Sequence, residues 1–166
     1  MKEKAIFLAT QARDKAVEYL HSHVGYNYRM SNVLAGIGRG QMEVIDERVN
    51  QRRKSFEFYK TELQNIEGIT FTGEPKGSFS NRWLSTILTE SSKMRDDLHK
   101  TFEKQHIETR PLWKPMHQQP VFSDYPKYLN GVSDDLFNRG LCLPSGSNLT
   151  EADLERILNC FNFLIE

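Results

Sequence analysis

The spacing of apolar residues changes at Gly68, and this change limits what the chain can fold into. Before Gly68 the apolar positions recur at steps of three and four, the helical signature; after it they recur at steps near two. Ile6, Ala9, Ala12 (or Arg13), Ala16 and Tyr19 (or Leu20) predict a helix over residues 2–19. His21, Ser22, His23 and Gly25 break that pattern. Ser31 then reads as the N-cap of a second helix running to about Asn65. Val33, Leu34, Ile37, Val44, Ile45, Val49, Phe56, Tyr59 and Leu63 hold its period throughout. At 1.5 Å per residue it would be roughly 50 Å long, against a typical radius of gyration of about 13 Å for a domain of 100 residues. Another domain or subunit is therefore expected to lie against it.

Beyond Gly68, Ile69-Thr70-Phe71 and Trp83 to Leu88 read as strands, joined by a turn region from Gly73 to Ser80. Met94 to Gln105 is a short helix with Met94, Leu98 and Phe102 on one face, and Ile107 to Leu112 reads as a strand. Residues 116–131 look irregular. Val132 to Arg139 is a short helix behind Ser133 and Asp134, and Leu141 to Pro144 is a short buried strand. Thr150 and Asp153 form a capping box for a final helix that buries Leu154, Ile157, Leu158, Phe161 and Leu164. The expected class is α+β: long helices first, then a small sheet of three or four strands packed on helices.

Composition narrows the function classes. The 166 residues suit a single domain, and 38% hydrophobic content supports one ordinary core. Twenty-two basic and 22 acidic residues cancel, which removes the electrostatic case for a nucleic-acid partner. No apolar run is long enough to span a membrane, and the start Met1-Lys2-Glu3-Lys4 does not read as a signal peptide. A cytoplasmic protein is expected. Cys142 and Cys160, without CxxC spacing, argue for neither a disulfide framework nor a metal site.

Two segments carry candidate chemistry. Gly25-Tyr26-Asn27-Tyr28-Arg29-Met30-Ser31 joins hydrogen-bond donors to aromatic walls, as an oriented polar ligand requires, and also reads as a capped helix entry with aromatics packing inward. In Arg110-Pro111-Leu112-Trp113-Lys114-Pro115-Met116-His117 two prolines restrict the backbone, and charge sits beside aromatic rings. That pairing suits a phosphorylated or nucleotide-bearing ligand. Equally, it reads as a buried Trp under a proline-rich cover. The basic run Arg48 to Lys54 alternates with acidic residues at helical spacing and reads as a solvated, salt-bridged face. Gly36, Gly38 and Gly40 follow no strand, so a dinucleotide loop is excluded, and they instead allow close backbone packing. There is no nucleophile–base set, P-loop or metal cluster by pattern.

Taken in order, GYNYRMS entering a small-residue helix, then RPLWKPMH, then LCLPSG ahead of a capped helix, the chain resembles the C-terminal portion of the pyridoxal-phosphate-dependent sugar-nucleotide aminotransferases of the DegT/DnrJ/StrS group. The Trp-Lys-Pro-Met-His form is similar to members acting on UDP-4-keto-6-deoxy-N-acetylhexosamines in pilin or exopolysaccharide glycosylation. The resemblance implies the small C-terminal domain of a fold type I aminotransferase, in a chain about twice as long. It also implies that the Schiff-base lysine, the Asp on the pyridine nitrogen and the ring-stacking residue belong to an N-terminal domain absent here. By the same resemblance, Asn27 reaches the cofactor phosphate of the other subunit, Tyr28 and Arg29 contact cofactor or substrate, and Arg110, Trp113, Lys114 and His117 line the nucleotide-sugar site. A homodimer, a UDP-sugar and an L-amino-acid donor, commonly glutamate, are the implied partners. A hydrogen bond to a charged group nets about 1.5–3 kcal/mol, whereas micromolar binding needs about 8 kcal/mol. Asn27 and Arg29 alone are therefore expected neither to bind the cofactor tightly nor to support transamination. A stand-alone sugar-nucleotide-binding module and a dimerisation module remain the other readings.

Overall fold

The computed structural model describes residues 1–164, in two compact units, Met1–Ile45 and Asp46–Glu166. In the first unit, α1 spans Lys2–Ala9 and α2 spans Asn32–Glu43. The helix expected over 2–19 thus stops at Ala9. Gln11 and Ala12 take positive φ (69° and 49°), and their amides bond to the carbonyls of Tyr26 and Phe7. The Tyr26 and Tyr28 amides donate in turn to Leu8 and Ala9. These cross-chain bonds replace the helical ladder beyond Thr10, a tertiary override of a modest local propensity. Gly25 is required where the two segments of this turn meet: a Cβ there would overlap the backbone of Gln11 and Ala12. Ala12 is the buried residue beneath it.

The single long helix expected from Ser31 onward is two helices. Ser31 does cap α2, its Oγ accepting from the Leu34 amide at 3.3 Å. At Val44, however, the amide turns back to Gln41 at 3.3 Å, and φ widens to −117°. One i→i−3 bond leaves the apolar spacing along the sequence unchanged on either side, so the sequence pattern does not register the break. Chain continues as α3, Ile45–Leu63.

The second unit holds one antiparallel sheet, in the order β1 (Ile69–Phe71), β2 (Ser85–Thr89), β4 (Gly140–Leu143) and β3 (Arg110–Pro111). Ile69 lies opposite Thr89, Ser85 opposite Leu143, and Arg110 opposite Cys142. The strand expected over 107–112 shrinks to Arg110–Pro111. It is an edge strand, and Pro111 has no amide with which to extend the ladder. Helices α4 (Ser92–Lys104), α5 (Val132–Arg139) and α6 (Glu151–Asn159) complete the unit. Its core gathers Tyr59, Leu63, Ile87, Leu98, Phe102, Leu141, Leu143, Ile157 and Phe161. The Tyr59 hydroxyl donates to the Pro144 carbonyl at 2.9 Å, and burial pushes its pKa up.

The α+β class and the four-stranded sheet agree with the sequence reading, as does the capping box of Thr150 and Asp153. The α5 caps do not. Gly131, at φ 80°, is its N-cap, and Asp134 faces a neighbouring loop instead. In α6, Ile157 is buried, and Phe161 is buried just beyond the helix end. Both cysteines are free and buried. No helix is long and apolar enough to cross a membrane among the described residues.

Candidate functional site

The site of the second unit is built from two loops. The first joins β1 to β2 and is bound to α3 by arginines. Glu74 accepts from Arg53 Nη1 at 2.6 Å and from the Ser80 amide at 2.9 Å. The Arg53 guanidinium lies 4.2 Å from the Phe79 ring centroid. Arg82, itself at φ 47°, stacks 3.6 Å over the buried Phe56 ring and donates to the Thr72 carbonyl at 3.3 Å. Arg52 reaches the Trp83 carbonyl at 3.4 Å. Arg53 beside Glu74, with the Ser80 amide, lowers the Glu74 carboxyl to about 2. The basic run expected to be a solvated face is therefore partly a tether: Arg52 and Arg53 are half-buried, and each bonds to the loop that presents Trp83. Helical charge patterning reports neighbours on one helix and says nothing of a loop folded across it.

The second loop, residues 112–118, is fixed to β4 and α5. The Leu112 amide donates to the Gly140 carbonyl at 3.2 Å, and Lys114 Nζ lies 5.1 Å from the Phe137 ring centroid. His117 Nε2 sits 2.8 Å from Asp134 Oδ1, to which Gln118 Nε2 also donates. Those two side chains hold the Asp134 carboxyl below the usual carboxylate range, His117 contributing most. Pro115 is buried.

A cleft of about 850 Å³ is lined by Trp83 at the end of the first loop, by Arg110 and Trp113 at the start of the second, and by Cys142, Asp153 and Arg156 of β4 and α6. Trp83 and Trp113 are 59% and 66% exposed, with ring centroids 6.0 Å apart and planes at 37°. The reading of Trp113 as a buried residue under prolines is thus excluded. Arg110 Nε donates to Glu108 at 2.7 Å, and Arg156 donates to the Gln105 carbonyl. Burial raises the Cys142 thiol. Arg110 and Trp113 line the cleft, while Lys114 and His117 face α5 from the same loop. Trp83, Asp153 and Arg156 were missed. Trp83 read as the first residue of a strand and Asp153 as half of the capping box, and no motif includes Arg156.

In the first unit, Asn27 forms an isolated bridge with Thr10, and the Tyr28 amide donates to Ala9 at 3.0 Å. Tyr28 stacks on Tyr26 with centroids 5.0 Å apart. The Asn27, Tyr28 and Arg29 residues are exposed, so the backbone is held while the side chains are presented outward.

The sequence pattern of the DegT/DnrJ/EryC1/StrS aminotransferase family matches residues 1–162. The chain belongs to this family. Among curated relatives of this DegT-family chain, EpsN of Bacillus subtilis, named a candidate pyridoxal phosphate-dependent aminotransferase, is 48% identical over 94% of the chain and 41% of EpsN. A GDP-perosamine synthase of Escherichia coli O157:H7 is 33% identical over 87% of the chain and 39% of that protein. The chain therefore spans about two fifths of the length of these relatives. In fold it is similar to the aminotransferase TlmJ of Streptoalloteichus hindustanus, with a TM-score of 0.84 at 22% identity over 98% of the chain and 44% of TlmJ. It is likewise similar to PseC of Helicobacter pylori, an aminotransferase of pseudoaminic acid biosynthesis, with a TM-score of 0.80 at 17% identity over 98% of the chain and 45% of PseC.

Proposed function

We propose that the chain is the C-terminal portion of a sugar-nucleotide aminotransferase, in which it holds the nucleotide sugar and lends donors to the cofactor phosphate. The reaction moves an amino group from an L-amino acid, commonly glutamate, to a 4-keto sugar of the UDP-4-keto-6-deoxy-N-acetylhexosamine class. The observation that carries this reading is the cleft of the second unit, with Arg110 and Trp113 on its wall in a chain of this family. Pilin or exopolysaccharide glycosylation is the setting that the Trp113 to His117 motif supports.

The residues present fit one end of pyridoxal phosphate. The exposed Asn27 amide and Arg29 guanidinium are donors of the kind a phosphate takes, and Tyr28 stands beside them. When bound, the cofactor supplies the electron sink for amino transfer. No lysine of this chain is assigned the covalent attachment. Lys93, for example, is engaged by Asp97 at 2.6 Å. The chain alone is accordingly expected to bind the cofactor weakly and not to transaminate. In the cleft, Trp113 orients the sugar nucleotide against a rigid wall and Arg110 contributes charge. Lys114 and His117 hold the loop through Phe137 and Asp134, so the wall is ordered before ligand arrives. Homodimerisation is supported by α2, whose Val33, Leu34 and Ile37 are exposed and whose Gly36, Gly38 and Gly40 have open space where a Cβ would stand.

Titrating UDP-N-acetylglucosamine into the isotopically labelled chain tests the reading by NMR. Shifts confined to residues 110–117 and their cleft neighbours are expected, with roughly tenfold weaker binding in Arg110→Ala. Added pyridoxal phosphate is expected to give no stable coloured complex. Absence of any saturable shift, together with concentration-dependent association that no ligand alters, would overturn it in favour of a dimerisation module.

A further inference from the structure

We propose that Trp83 pairs with Trp113 to form the platform on which the nucleobase of the sugar nucleotide stacks, and that Trp83 thereby makes a planar heterocycle, in place of a bare phosphate, the group this cleft selects. The inference rests on the nucleotide-sugar reading above and adds to it the part of the ligand recognised and a residue that no motif implicated.

The first support is the exposure of the rings. Two indoles, each more than half exposed in this chain, stand with centroids 6.0 Å apart and both line the cleft, so together they offer it a continuous aromatic surface. The second is their fixation. Trp83 follows a loop clamped by Glu74, Arg53 and Arg82, and its carbonyl is held by Arg52. Trp113 sits between the Leu112 amide bond to Gly140 and the buried Pro115. Neither ring is carried on a free loop, so stacking a ligand on them orders little that is not already ordered.

The third is the charge balance of the cleft. Arg110 is paired with Glu108, and Arg156 is bound to the Gln105 carbonyl and has Asp153 as an acidic neighbour. The cleft's two arginines each have a carboxylate beside them, so the charge offered to a naked phosphate is partly offset, while the two aromatic rings meet only each other. Every nucleobase has a π-face, and stacking on an exposed indole needs no free charge. With centroids 6.0 Å apart, the two rings leave no slot between them, so the base lies against the pair from the cleft.

These are the chain's two tryptophans, so two indole N–H resonances report on the platform directly. Uridine, UDP and inorganic pyrophosphate are titrated separately into the labelled chain. Uridine and UDP are expected to shift both indole signals saturably, and pyrophosphate neither. Trp83→Ala should weaken uridine and UDP by roughly tenfold or more, and Trp83→Phe should restore most of the loss. Arg110→Ala should weaken UDP and leave uridine unchanged. Methyl signals of Ile87 and Leu141 verify that each variant keeps its core. Unaltered uridine and UDP binding in Trp83→Ala, with shifts still mapping to residues 110–117, would overturn the platform and leave the nucleotide-sugar reading standing. Pyrophosphate moving the indole signals as strongly as UDP would do the same. Failure of every nucleotide to bind would overturn both.

Discussion

Glu74 accepts hydrogen bonds from Arg53 and the Ser80 amide, with Arg82 Nε a further 3.7 Å away, and so ties three parts of the second unit through one carboxylate. Its pKa lies at about 2, below the ordinary 4.5. A carboxyl depressed on folding binds protons more readily in the unfolded chain, so its contribution is complete above about 4.5 and is lost as pH falls toward about 2. The melting temperature should therefore fall across that window. In Glu74→Gln the midpoint should be lower at neutral pH and flatter through the same range; equal acid sensitivity in parent and variant would refute the assignment. None of this could be read from the residue's neighbours in sequence, because Arg53 and Arg82 reach Glu74 from a helix 21 residues before it and a turn after it.

Among elements, β4 and α5 show how the scaffold determines the site. Gly140 starts β4 where the Leu112 side chain and the Leu136 carbonyl close over it, and a Cβ would overlap both. Gly140→Ala should destabilise the chain by about 1–3 kcal/mol, the usual scale of overpacking. Because Leu112 leads directly into Trp113, the same variant should weaken UDP-sugar binding. Urea denaturation and the NMR titration read the two effects, and loss of stability with unaltered binding would show that the loop position does not depend on this contact. The elements were unevenly legible. β1 follows its apolar spacing closely, α5 keeps its expected bounds though not its expected caps, and the capping box marks the start of α6. The early end of α1 and the division at Val44 left no such mark. One is imposed by amides bonding across to Leu8, Ala9 and Tyr26, the other by the Val44 amide slipping to the Gln41 carbonyl.

At the scale of the whole molecule, the two units differ in what protects them. The second has a continuous core from Tyr59 to Phe161, whereas Ala12 is the buried residue of the first and α2 buries none. Local opening is easiest where few apolar side chains are covered. Amide exchange should accordingly be slowest in β2 and β4, at the rate set by global unfolding, and much faster in α1 and α2. Protection of α2 equal to that of β2 in dilute solution would contradict this reading. Protection that grows with protein concentration would place the partner expected for its exposed apolar face. The sequence by itself determined the α+β class, the apolar positions of the core and the family to which the chain belongs, because each depends on local periodicity or on residues adjacent in the chain. Tertiary structure alone decided that Arg52 and Arg53 anchor a loop, that His117 turns to Asp134, and that Trp83 stands beside Trp113. Such pairs are far apart along the chain, and only the packing of the sheet and its helices brings them within reach of one another.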